Sequence, residues 1–155
     1  MAAKLEPRDP DWDRKVRASF ARQTFMDTIG GRITALSPGY CEVELPFRAD
    51  LCQQNGYLHG GVVTSIAANA TGYAAFSLMP PNSSVLGVEY KINLFDPAAG
   101  ERFIATGRVL KPGRTFSVVE CDVEADEGGK RKLIAKMLTT MMCLEGVPDE
   151  IRYRK

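Results

Sequence analysis

The chain has 155 residues, 45% of them hydrophobic and 25% charged, and its 20 Lys and Arg against 19 Asp and Glu give a formal net charge of +1. That length predicts one domain, residues 1 to 155, able to bury roughly two-thirds of its unfolded surface without disulfide staples. The charge lacks the basic excess of a generic nucleic-acid binder, the cysteines Cys41, Cys52, Cys121 and Cys143 form no CxxC pair, and no uncharged apolar run approaches the roughly 18 residues of a membrane span. Nucleic acid, structural zinc, a redox dithiol and membrane insertion are therefore not expected.

The amino-terminal MAAKLEPRDPDWDRK has no apolar core of a secretory leader, which with the unpaired cysteines leads to a reducing, cytoplasmic setting as the expectation. From 11 to 29, Trp12, Val16 and Phe20 recur at helical spacing, followed by Phe25, Met26 and Ile29. This predicts an amphipathic helix ended by Gly30 and Gly31. Two short β-like runs, RITALS and YCEVELPF, flank Pro38-Gly39 as a hairpin would. Residues 48 to 58 read as a polar loop.

The next twenty residues, GGVVTSIAANATGYAAFSLM from Gly60 to Met79, carry no charge. A helix without a polar face is buried on all sides. Its small residues let a sheet approach its axis. After Pro80-Pro81-Asn82 the period becomes two, with Leu86, Val88, Tyr90, Ile92 and Leu94 alternating with Gly87, Glu89, Lys91 and Asn93 as in a half-buried strand. Three more β-like runs, at about 102 to 111, 115 to 126 and 132 to 145, are divided by Lys111-Pro112-Gly113 and Glu127-Gly128-Gly129. Short connections favour antiparallel neighbours. The fold class is α+β, a curled antiparallel sheet wrapped around one long central helix, with its core at about 30 to 146 and an extra N-terminal helix. Exposed strand edges and the remaining apolar sheet face predict a homodimer, extending to a homotetramer.

The stretch LCQQNGYLHGGVVTSIAANATGYAAFS, followed by VLGVEYKINLFDPA and LKPGRT, resembles the bacterial PaaI-like acyl-CoA thioesterases over about 35 to 145. That resemblance implies the hot-dog fold and an acyl-CoA or aroyl-CoA substrate, with coenzyme A as part of the substrate and no resident cofactor. It also implies that the Gly60 amide donates to the oxyanion while His59 orders the turn and the substrate carbonyl, with Gly61 leaving room for the acyl group. Independently of the family, thioester hydrolysis needs N–H groups aimed at the carbonyl oxygen, and a helix N-terminus offers them with a positive dipole end. His59 is the single histidine, which excludes a multi-histidine metal site. A structural, turn-ordering role for it outweighs proton transfer.

By the same resemblance an Asn or Gln about six residues before the histidine holds the carbonyl or the attacking water, which points to Gln53, with Gln54 and Asn55 beside it. The family's catalytic Asp or Glu stands nine residues after the histidine, where this chain has Ala68, and a Ser or Thr that helps hold water is replaced by Gly87. Asn69 is adjacent, but a 100° step around the helix directs it elsewhere. Three readings follow: an engineered inactivating change at Ala68, favoured because the helix otherwise matches the family around that position, a natural non-catalytic acyl-CoA-binding homologue, or an enzyme using Asp50, Glu89 or Asp96. Phosphate groups call for cations, and Lys111, Gly113, Arg114 and Thr115 form a turn that the resemblance assigns to coenzyme A. Arg152 to Lys155 read as a frayed terminus. Tyr57 and Phe76 suit either core or acyl pocket, and a hot-dog hydratase is disfavoured because no HFPG-type stretch is present.

Overall fold

A computed structural model describes residues 5–150. Two helices, not one, precede the sheet: α1 Trp12–Ala21 and α2 Thr24–Ile29. The expected helix over 11 to 29 breaks at Gln23, whose backbone turns extended at φ −84° and ψ 92°. There its side-chain amide donates to the Tyr73 hydroxyl at 3.1 Å. A tertiary hydrogen bond overrides local helical propensity. Gly30 ends α2 in the left-handed region at φ 85°, with its N–H on the Met26 carbonyl.

Strands β1 Arg32–Ser37 and β2 Tyr40–Pro46 form the hairpin, and α3 Gly60–Phe76 follows a loop that contains a short 3₁₀ turn at Ala49–Leu51. That loop is more ordered than its polar composition predicts: Cys52 and Leu58 make an antiparallel bridge, and His59 N–H donates to the Leu51 carbonyl. The remaining strands are β3 Ser83–Leu94, β4 Arg102–Lys111, β5 Phe116–Glu127 and β6 Lys130–Glu145. All pair antiparallel in the order β1-β2-β4-β5-β6-β3. The sheet closes around α3, whose Val63, Ile66, Ala67, Ala70, Ala74 and Phe76 are buried.

Gly107 on β4 shows how close the sheet comes. A Cβ there would lie 2.5 Å from the Ala70 carbonyl oxygen, so any side chain is excluded by backbone that cannot yield. The expectation that α3 is buried all round holds only for its last turn, from Tyr73 to Phe76. Gly61, Ser65, Ala68 and Gly72, at helical spacing, form a strip that the sheet leaves open.

β3 also departs from the sequence pattern. It lies at the sheet edge, and a bulge at Val88 breaks its alternation. Leu86 pairs with half-buried Met142, whereas Tyr90 and Ile92 pair with the inward-facing Thr139 and Met137. The apolar residues predicted for one half-buried face are thus divided, and Leu86, Val88, Tyr90 and Leu94 are 44–56% exposed.

Candidate active site

His59 ends its extended approach at φ −61° and ψ 135° and caps α3 with its side chain. Nδ1 accepts the Gly61 N–H at 2.8 Å, while the His59 carbonyl accepts from Val62 and Val63. An accepting Nδ1 carries no proton, which leaves the ring proton on Nε2. Of the first-turn donors this leaves the Gly60 N–H, which has no acceptor among the described residues. A free N–H at the positive end of a 17-residue helix is a donor for a developing oxyanion.

Gly60 lines a cavity of about 450 Å³ together with Gln53, Asn55, Tyr57, Leu94, Asp96 and their neighbours. The loop before the helix sets its polar wall. Gln53 N–H donates to the Tyr57 carbonyl, Gly56 adopts φ 84°, and Gln53 Oε1 takes the Asn55 N–H. Gln54 is exposed and does not line the cavity. Two of the loop's three neighbouring amide residues, Gln53 and Asn55, therefore line the same cavity as Gly60.

Ala68 and Gly87 are brought together, but elsewhere. With Asn69, Gly72 and Met141 they line a second cavity of about 340 Å³, bounded on its far side by Ser19, Gln23 and Tyr73. Asn69 also lines this cavity, one helical step round α3 from Ala68. Its Nδ2 donates to the Ser65 carbonyl, and its Oδ1 is a buried acceptor without a partner among the described residues. Burial pushes the Tyr73 hydroxyl up from the usual phenol range, so it stays protonated beside Ser19 and Gln23.

Gly113 and Arg114 line a third cavity of about 380 Å³ with Arg8, Ala75, Met79 and Ser117, whereas Lys111 and Thr115 are exposed outside it. A Cβ at Gly113 would strike the Phe116 carbonyl, which fixes the turn as a glycine turn. Arg8 is a cation the sequence reading missed. At about 1.5 Å of rise per residue, Ala68 lies about 12 Å and Ala75 about 22 Å along α3 from Gly60. The three groups of predicted residues are strung along the helix and do not converge within one chain.

The other expected residues separate clearly. Phe76 is fully buried core, and Tyr57 lines the first cavity. Asp50 is held on the surface by Arg48, and Glu89 accepts from the Thr140 hydroxyl. Arg152 to Lys155 lie outside the described residues. Among the described residues no cluster of three or more His, Cys, Asp or Glu is placed to hold a metal, and no helix is long and apolar enough to cross a membrane.

Residues 55–132, half of the chain, match the model of the Thioesterase superfamily. The chain belongs to that superfamily. A thioesterase family protein from Silicibacter pomeroyi is 47% identical, with a TM-score of 0.86 over 87% of this chain and 99% of the other. The E. coli PaaI protein, 19% identical, shares the hot-dog fold at a TM-score of 0.80 over 91% of this chain and 99% of its own. A 1,4-dihydroxy-2-naphthoyl-CoA hydrolase of Listeria monocytogenes is 29% identical over 71% of this chain and 89% of its length. The present chain is thus a thioesterase-superfamily member with the hot-dog fold.

Proposed function

We propose that this thioesterase hydrolyses an acyl-CoA or aroyl-CoA, with the thioester carbonyl polarised by the Gly60 N–H. The observation that carries this reading is the donor left over at the α3 N-terminus, on Gly60, a residue that lines a cavity. Such donors stabilise the charge that develops as water adds to a carbonyl. Gln53 and Asn55 hold the carbonyl or the water, Gly61 leaves room for the acyl group, and His59 keeps the turn in place. Arg8 joins Arg114, Lys111, Gly113 and Thr115 as the end that meets the coenzyme A phosphates. In this reading coenzyme A belongs to the substrate, no cofactor is resident, and the enzyme works in the cytoplasm.

The working form in this reading is a homodimer, assembled further to a homotetramer. The edge position of β3 and its exposed Val88, Tyr90 and Leu94 support a second copy there. The separation of Gly60 from Ala68 supports it too, since a second copy can bring its Ala68 and Gly87 to the first copy's Gly60. Neither Ala68 nor Gly87 activates water. The chain is therefore an impaired form of the enzyme.

Thiol release from butyryl-, decanoyl- and benzoyl-CoA by this chain and by Ala68→Asp tests the reading. The expected result is slow turnover by the chain and an increase of about 100-fold in Ala68→Asp, the usual contribution of a positioned base. Binding of acyl-CoA by both forms without turnover by either supports the rival reading, a non-catalytic acyl-CoA-binding protein, which the alanine at position 68 itself favours. Equal, rapid turnover by both forms shows that position 68 is not where the base belongs.

A further inference from the structure

We propose that Asp96 is the general base for the turnover this chain retains, working in the same cavity as the Gly60 N–H. The assignment rests on the hydrolase reading above and goes beyond it by naming what takes the proton from water. Of the three mid-chain acids available to replace the residue missing at position 68, the fold brings only Asp96 to the helix start. Asp50 is paired with Arg48, with contacts at 3.1 and 2.6 Å, Glu89 Oε1 accepts from the Thr140 hydroxyl at 2.6 Å, and neither lines that cavity.

The backbone holds Asp96 there. Phe95 N–H donates to the Ile134 carbonyl at 2.8 Å, and the Leu58 N–H, one residue before the cap, donates to the Ala98 carbonyl at 3.0 Å. Segment 95–98 is thereby pinned between β6 and the turn that opens α3. Leu94 completes the junction, since its Cδ1 lies 3.0 Å from where a Gly60 Cβ would stand. A side chain at position 60 would crowd this junction, and glycine keeps it open.

The carboxylate is oriented and half spent. Oδ1 pairs with Lys132 Nζ at 2.9 Å, while Oδ2 has no partner among the described residues, and the side chain is 38% exposed. It is thus reachable by water and fixed by a cation that does not occupy both oxygens. In the step, a water oxygen bonds to the thioester carbonyl carbon as its proton passes to Asp96 Oδ2, and the carbonyl electron pair moves onto the oxygen held by Gly60 N–H. When that pair returns, the C–S bond breaks and the departing thiolate takes the proton back from Asp96. One water is consumed, and a carboxylic acid and free coenzyme A are formed.

The test measures thiol release by Asp96→Asn and Asp96→Glu with whichever of butyryl-, decanoyl- and benzoyl-CoA the unaltered chain hydrolyses fastest. The expected result for Asp96→Asn is a kcat about 100-fold lower with KM within about threefold, while Asp96→Glu keeps at least about a tenth of the rate. Adding Ala68→Asp to Asp96→Asn is expected to restore turnover, because a base is then supplied from another position in an intact fold. The assignment is overturned if Asp96→Asn keeps kcat within about threefold of the unaltered chain, or if Ala68→Asp fails to rescue it. An inert unaltered chain beside an active Ala68→Asp form removes Asp96 and leaves the hydrolase reading standing. An inert pair removes both.

Discussion

Two aspartates show how surroundings separate a structural acid from one free to react. Asp126 is nearly fully buried, and its oxygens are taken by the Arg102 guanidinium at 2.6 and 3.0 Å and by the Gly129 N–H at 2.9 Å. The guanidinium holds its carboxyl below the usual aspartate value of 3.8. A carboxyl lowered in the fold stabilises it above the ordinary value, and that stability is lost as pH falls through the lowered one. Asp126→Asn is accordingly expected to reduce the thermal midpoint at pH 7, with the gap to the unaltered chain closing as the pH drops below about 3.8, as a pH series of melts shows. Asp96, with one oxygen open, lacks that saturation.

Legibility at this scale followed sequence distance. His59, Gly60 and Gly61 are adjacent, so their capping geometry could be read from the chain. The contacts that place Asp96, to Ile134 and through Ala98 to Leu58, join distant residues, and no local pattern marks them. Arg8, far from the 111–115 turn in sequence, was hidden for the same reason. The two-residue period past Leu94 was the one available hint for Asp96.

Among the elements, strand boundaries were readable where turn residues stand outside the pattern. RITALS is β1 residue for residue, and Gly128 and Gly129, both at positive φ, separate β5 from β6. What failed were features set by tertiary contact: the break at Gln23, drawn onto Tyr73, and the bulge at Val88, which reverses the strand's phase without any change in composition. The wrapping of the sheet around α3 yields a sharper expectation. Gly107→Ala places a methyl 2.5 Å from the Ala70 carbonyl oxygen and 2.8 Å from the Thr71 nitrogen. Urea unfolding should show a loss of about 3 kcal/mol, the upper end of ordinary overpacking, because both obstacles are helix backbone.

For the whole molecule, the uncharged run of α3 announced a wrapped helix, and the strand pattern announced the sheet. The open strip of α3 and the exposed face of β3 were not legible, because a sequence pattern marks a residue as apolar without saying which chain covers it. The assembly proposed above makes them one surface. Sedimentation is expected to give at least twice the mass of the chain, and Val88→Lys with Tyr90→Lys to give the mass of one chain, since unmatched ammonium groups would face each other at the edge. A monomeric unaltered chain would remove the composite site.

The Gly60 N–H, the proposed donor to the thioester carbonyl, can be deleted without deleting the helix. Position 60 is the first residue of α3, where proline is tolerated, and His59 already has the extended backbone that a following proline requires. Gly60→Pro removes the N–H, while Gly60→Ala adds a Cβ against the same Leu94 methyl and keeps it. Comparing kcat for thiol release by the two variants isolates the donor. The account predicts that Gly60→Pro is at least about 100-fold slower than Gly60→Ala at matched thermal stability; rates within about threefold of each other would contradict it.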